Sequence, residues 1–198
     1  MKLLTFLIGP RFFELFLHGK ETEQVIARKD DQLLQHSTIE LERYFDKPPQ
    51  QLPRQNAFSL AWVLLLFILT FALNLLTLLH VLPSLSPPAR AAAFFLPSIV
   101  FIISNLTASY LISRGFNSGL TIYSLVYNGL FVATILQLIN VALSWDTRHV
   151  ILMLISLAFI LSCRSLINGG SFIVFVLYCR TQRITSIARS LRLKSRNT

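Results

Sequence analysis

Residues 57–81 contain no Asp, Glu, Lys or Arg, and three more long apolar stretches follow, at about 91–113, 120–145 and 150–179. A helix rises 1.5 Å per residue, so roughly 20 apolar residues cross the ~30 Å hydrocarbon core of a bilayer. Within that core every backbone polar group must be satisfied internally, which leaves the helix as the structure open to such segments. The chain is 54% hydrophobic and 14% charged, more apolar than a water-soluble domain can hide. The expected fold is an all-α integral membrane protein of about four transmembrane helices. A helical N-terminal segment precedes the spans, and a basic amphipathic tail follows them. The corresponding boundaries are 1–56 for a cytoplasmic or interfacial segment, 57–179 for the bundle and 180–198 for the tail.

Charge is segregated along the chain. Eight of the nine acids lie before residue 50, and the ninth is Asp146. The tail carries Arg180, Arg183, Arg189, Arg192, Lys194 and Arg196 with no acid. Positive flanks mark the cytoplasmic side, so the tail is expected inside, and an even number of spans puts the N-terminus there too. The far turns hold only Arg90 and Arg148. Trp145 at the outer end, with Trp62, Tyr110, Tyr123 and Tyr178 near inner ends, has the placing of interfacial aromatic belts. A bacterial inner membrane is the expected location.

The N-terminal segment begins with a short apolar run that stops at Gly9-Pro10, too early for a secretory core, and is read as uncleaved and interfacial. Phe12, Phe13, Leu15, Phe16 and Leu17 form a greasy patch suited to headgroups. Ser37 and Glu40 have capping-box spacing, and the helix they open is expected to stop before Pro48. Residues 47–55, rich in Pro and Gln, read as a linker. Pro83, Pro87 and Pro88 mark the first turn between spans, and Pro97 is expected in the first turns of the second span.

No catalytic spacing is present, neither HExxH, GxSxG, GxGxxG nor a P-loop. The four histidines are spread along the chain, and Cys163 and Cys179 form no CxxC. No enzyme activity, cofactor or metal is expected. The spans hold no carboxylate to relay protons, which argues against a single-copy coupled transporter.

Arg164 is the informative exception. A charge at a span centre costs about 2.5–3.5 kcal/mol on insertion scales, so an intramembrane polar site of Arg164 with Asn168, one turn on, is one reading. Snorkelling of Arg164 to the inner interface, with residues 171–179 near the surface, is the other. Ala158, Ser162, Ser165 and Gly169 align on another face of that helix, as a close helix–helix or subunit contact requires. Ser104 with Ala108, and Gly129 with Ala133, offer similar contacts. Polar rows run along the first span (Thr70, Asn74, Thr77) and the second (Ser98, Asn105, Ser109).

The six cations of the tail suit anionic lipid of the cytoplasmic leaflet, or a partner, at about 1 kcal/mol per nearby charge. Nucleic-acid contact is not expected, because the membrane accounts for the basicity. The mixed-charge region 19–46 is the better protein-binding surface. Together these features point to a non-enzymatic membrane subunit, homo-oligomeric, that docks a soluble cytoplasmic protein. Small polytopic bacterial proteins of this kind serve in phage defence, toxin immunity and exclusion, an analogy of class alone. The alternative is an oligomeric pore with Arg164 near the conduction path.

Overall fold

The computed structural model describes residues 8–28, 37–45, 57–81, 86–144 and 147–196, with the side chains of 195 and 196 excepted. The described residues form seven helices: α1 (Pro10–Arg28), α2 (Ile39–Phe45), α3 (Phe58–Val81), α4 (Pro87–Ser113), α5 (Asn117–Leu143), α6 (Thr147–Ile167) and α7 (Gly170–Arg196). Four of them, α3 to α6, are long and apolar enough to cross a membrane. The chain is a multi-pass membrane protein. Trp145, Asp146 and the linker 47–55 lie outside the described residues.

The four spans pack on one another as a bundle. α6 turns Met153, Ser156, Ile160, Cys163 and Ile167 inward, the 3.6-residue stripe of a buried helix face. It lies chiefly against α3, with α5 as a second neighbour, while α4 flanks α5 and α3. α4 is peripheral: only Asn105, Ala108 and Ile112 are buried along it, while α3 buries residues along most of its length, from Ser59 to Thr77. Gly119 is what lets α5 meet α4, because a Cβ there would collide with the backbone of Ala108 and Ile112. Polar side chains also meet inside. The Asn74 amide donates to the hydroxyls of Thr134 and Ser156, each at 2.9 Å. Interhelical bonds of this kind contribute about 0.6 kcal/mol on average in a membrane, because the separated helices also find partners. Asn74→Ala is therefore expected to lower unfolding free energy by about 1 kcal/mol, read by steric-trap or denaturant unfolding.

Helix ends depart from expectation in ways the local chemistry explains. α4 starts at Pro87, with Pro88 also in its first turn, since a fixed φ and a missing N–H suit the opening of a helix. Pro97 consequently lies in the helix interior, where it denies Ala93 an acceptor's partner. α4 ends in a Schellman motif: Gly115 N–H donates to Ile112 and Phe116 N–H to Leu111, at 2.9 Å each. Gly115 sits at φ +75, the left-handed geometry this cap demands. α2 is capped by Thr38, whose Oγ1 accepts from Leu41 N–H at 3.2 Å, and not by a Ser37–Glu40 box. Ser37 Oγ instead donates to Glu42 Oε1 at 3.2 Å.

The last apolar stretch is two helices. α6 closes at Ile167, and after Asn168-Gly169 the chain restarts as α7, which runs unbroken past the expected boundary at 179/180 into the basic tail. α7 contacts α1, α2 and the spans at one end of the bundle. That end also holds the start of α5 and the end of α6; it is called the charged end below.

Candidate functional site at the charged end of the bundle

Part of the greasy patch of α1 faces protein, while Phe13 and Phe16 are half-buried. Phe12, Leu15 and Gly19, spaced along one helix face, are buried, and Phe12 stacks on Phe172 of α7 with ring centroids 6.4 Å apart. Leu17 alone of the five apolar residues is exposed. α1 is thus laid across the bundle end, and its polar contacts fix it there.

Arg180 is the centre of those contacts. It is 2% exposed, and its Nη1 donates to Leu15 O at 2.7 Å and lies 3.3 Å from His18 Nδ1. Its Nη2 donates to Asn117 Oδ1 at 3.0 Å, at the first residue of α5. One guanidinium therefore joins α1, α5 and α7, using the planar fork that lysine lacks. Burial pushes Arg180 down to about 10, with Glu23 opposing the shift. Glu23 is the second tie: its Oε1 accepts from Asn117 N–H at 2.8 Å and from Arg183 at 3.2 Å. Arg183 also donates to Gly115 O at 3.2 Å and stacks on Phe116 at 3.7 Å. A third tie holds α2, where Arg192 pairs with Glu42 at 3.0 Å and donates to Ser37 O at 2.6 Å. The acids early in the sequence and the bases at its end meet in space.

These contacts revise the reading of the tail. Arg180 is enclosed and cannot serve anionic lipid or a partner. Arg183 and Arg192 are half-buried and committed to Glu23 and Glu42. Arg189 and Lys194 are exposed on α7, and the side chain of Arg196 lies outside the described residues.

Arg164 lies in the last turn of α6, three residues before Ile167, about 5 Å from the helix end at 1.5 Å per residue. It does not sit at a span centre. With Arg11 and Ser165 it lines an open cleft of about 600 Å³ at the charged end. Asn168 forms the floor. Its Nδ2 donates to Ile8 O at 2.6 Å and to Arg164 O at 2.8 Å, while its Oδ1 accepts from Phe12 N–H at 3.2 Å. Asn168 is thus a double cap, closing α6 and opening α1, and Gly9 at φ +110 leaves the room it needs. Arg114, Arg183 and Ser186 line a second open cleft of about 590 Å³ beside the α4–α5 turn.

The small-residue stripe faces outward. Ala158, Ser162 and Ser165 are exposed and Gly169 is half-buried, while Ser162 satisfies its hydroxyl on Ala158 O at 2.8 Å. Internal packing uses the opposite face of α6. Gly129 packs on nothing, since a Cβ there would meet open space. Tyr123 leaves the expected aromatic belt for the core, 1% exposed, with its hydroxyl 2.7 Å from Ser109 Oγ. Trp62 and Tyr110 do face outward. The histidines are not all apart: His80 and His149 stack with centroids 3.9 Å apart at the end remote from α7. Their spacing of 69 residues in sequence carried no signal of that pairing.

Cys179 adjoins Arg180 beneath Gly115, whose Cβ position is filled by the Cys179 carbonyl. Burial pushes its thiol up to about 11. A raised acid pKa contributes stability below the unfolded value and loses it as pH climbs through the folded one. Alkylation of Cys179 is therefore expected to be slow at neutral pH and to rise about tenfold per pH unit until the thiolate saturates, measured by peptide-mapped maleimide uptake.

No family model, curated protein or solved structure matches this chain.

Proposed function

We propose that the chain is a non-enzymatic membrane subunit that assembles with copies of itself and presents its charged end to a soluble protein in the bacterial cytoplasm. The observation that carries this reading is the docking of α1 and α2 onto α7 through Arg180, Glu23–Arg183 and Glu42–Arg192. A segment that is polar on its outer face becomes a fixed surface, on which Arg11, Glu14, Glu21, Arg28 and Arg43 are exposed. Mixed charge held on a preformed surface suits a protein partner, because little ordering entropy remains to be lost on binding. The same clustering of cations supports a cytoplasmic location for this end and for both termini. The outward stripe on α6 supports self-association, since small residues let helices approach in lipid. Arg114 in its cleft, with Arg189 and Lys194 exposed on α7, supports contact with anionic lipid. A pore is less favoured, because Asn74, Thr134 and Ser156 turn their polar groups onto one another within a single bundle.

Native mass spectrometry of the protein, purified gently from its host, tests the proposal. A homo-oligomer carrying a soluble protein in fixed ratio is the expected result, and Glu14→Lys with Glu21→Lys should release that protein while the oligomer persists. A lone monomer without a companion overturns the reading. A bare oligomer that conducts ions in bilayers would replace it with the pore. Phage challenge, toxin challenge and DNA-exclusion assays are the settings in which to look for the phenotype.

A further inference from the structure

Away from the charged end, α3, α4 and α5 do not close on one another. Phe71 and Phe101 stack face to face at 4.1 Å, and beyond them a cleft of about 340 Å³ runs between the three helices. Its walls include Pro97, Leu125, Gly129, Asn74 and Gln137. Gly129 leaves open the space a side chain would fill, and Leu125 at the rim is 68% exposed. The cleft opens sideways on the surface that faces hydrocarbon in a four-span bundle.

Two polar atoms in this apolar setting have no partner. Asn74 is 4% exposed, and its Nδ2 is fixed by the Thr70 carbonyl at 2.8 Å, an atom that can only accept. The amide orientation is thereby settled, and the group left without a bond is Oδ1. Gln137 Oε1 is likewise buried without a partner. A buried carbonyl left unsatisfied is unfavourable, so Asn74 Oδ1, whose amide cannot turn, calls for a donor, and Gln137 offers a second amide beside the same cleft. A single water is small for the space, since its share of liquid volume is only about 30 Å³. Filling the remainder with water would wet a mostly apolar wall. A ligand carbonyl would oppose acceptor to acceptor. An ammonium would find no counter-charge, because α3 to α6 contain no Asp or Glu. What fits is a neutral donor on a hydrocarbon body.

We propose that the cleft between α3, α4 and α5 binds a membrane-dissolved amphiphile bearing a hydroxyl, with the hydroxyl donating to Asn74 Oδ1 or Gln137 Oε1 and the hydrocarbon passing over Gly129. Entry is lateral, from the lipid past Leu125. The site is separate from the charged end and does not depend on the role proposed for it.

The test uses the full chain in liposomes with a diazirine-bearing hexadecanol and, in parallel, its methyl ether, which keeps the hydrocarbon and cannot donate. The alcohol is expected to label the segment 125–137, and the ether about tenfold less, the equivalent of one hydrogen bond of about 1.4 kcal/mol. Gly129→Leu, whose Cβ meets no atom, places its side chain in the cleft and should abolish labelling there; Gln137→Leu should narrow the difference between alcohol and ether. Continued protection of buried Cys163 from alkylation reports that each variant is folded. If Gly129→Leu fails that check, Gln137→Leu decides alone. Equal labelling by alcohol and ether overturns the proposal and assigns the cleft to an ordinary acyl chain. Absence of label from 125–137 overturns it in favour of enclosed water.

Discussion

Arg180→Ala should detach α1 from the bundle. The change removes the Nη1 bond to Leu15 O and the Nη2 bond to Asn117 Oδ1, and it leaves the Asn117 oxygen enclosed without a donor. Hydrogen bonds from a charged group contribute about 1.5–3 kcal/mol each, and an orphaned buried acceptor costs a further 1–3 kcal/mol. These terms overlap, and water reaching the opened site recovers part of them, so a net loss of about 3 kcal/mol is expected. Because Cys179 adjoins the site, its alkylation rate at fixed pH should rise about a hundredfold, at 1.4 kcal/mol per factor of ten. Arg180→Lys should recover little, since an ammonium cannot span Leu15 and Asn117 with one planar fork. Unchanged protection of Cys179 in Arg180→Ala would show that the apolar contacts of Phe12 and Leu15 hold α1 alone.

Gly19→Ala should also be harmful, although propensity alone predicts the reverse. In an ordinary helix interior the exchange gains about 1 kcal/mol. Here the new Cβ would fall on the Asn117 side chain and the Arg180 guanidinium. Neither can withdraw without breaking the bond between them, and overpacking of this kind costs about 1–3 kcal/mol. The steric term wins, and a net destabilisation of about 1–2 kcal/mol is expected in the same alkylation assay. Coupling gives the sharper test. In an Arg180→Ala background the obstruction is largely gone, so adding Gly19→Ala should be near neutral, a departure from additivity of more than 1 kcal/mol. Additive effects would mean that Gly19 serves the helix and not the junction.

The spans were legible because apolar length is a local property: residues 57–81 announce a membrane helix without reference to any other part of the chain. Asn168 and Gly169 break the last apolar stretch into α6 and α7, and the reason for an Asn there is not local. Asn168 is needed there to cap α1 as well as α6, and that depends on a carbonyl 160 residues away. Arg164 lies in the last turn of α6 and not at its middle, a placing that depends on where the helix ends. Arg180 could not be told from its neighbours, since six cations in a tail look alike until one is enclosed. A signal did exist in the separation of charge. Glu23 and Glu42 are the counterparts of Arg183 and Arg192, and the sequence placed these signs at opposite ends of the chain. Reading that segregation as topology alone left the pairing unseen. Glycine gave the other clue, for Gly19 in a mixed-charge helix marks a close approach.

The bond between Arg180 and the Leu15 carbonyl closes a loop of 165 residues, and this sets an order on biogenesis. Ribosomes add about 5–20 residues per second, so α1 emerges roughly 8–33 s before its anchor exists. Throughout that interval Phe12 lacks its ring partner Phe172 and the Leu15 carbonyl lacks its donor. α1 therefore reaches its native position only after α7 is made, and the junction at the charged end acts as a completion mark: it can form only once α3 to α6 have been synthesised and α7 has left the ribosome.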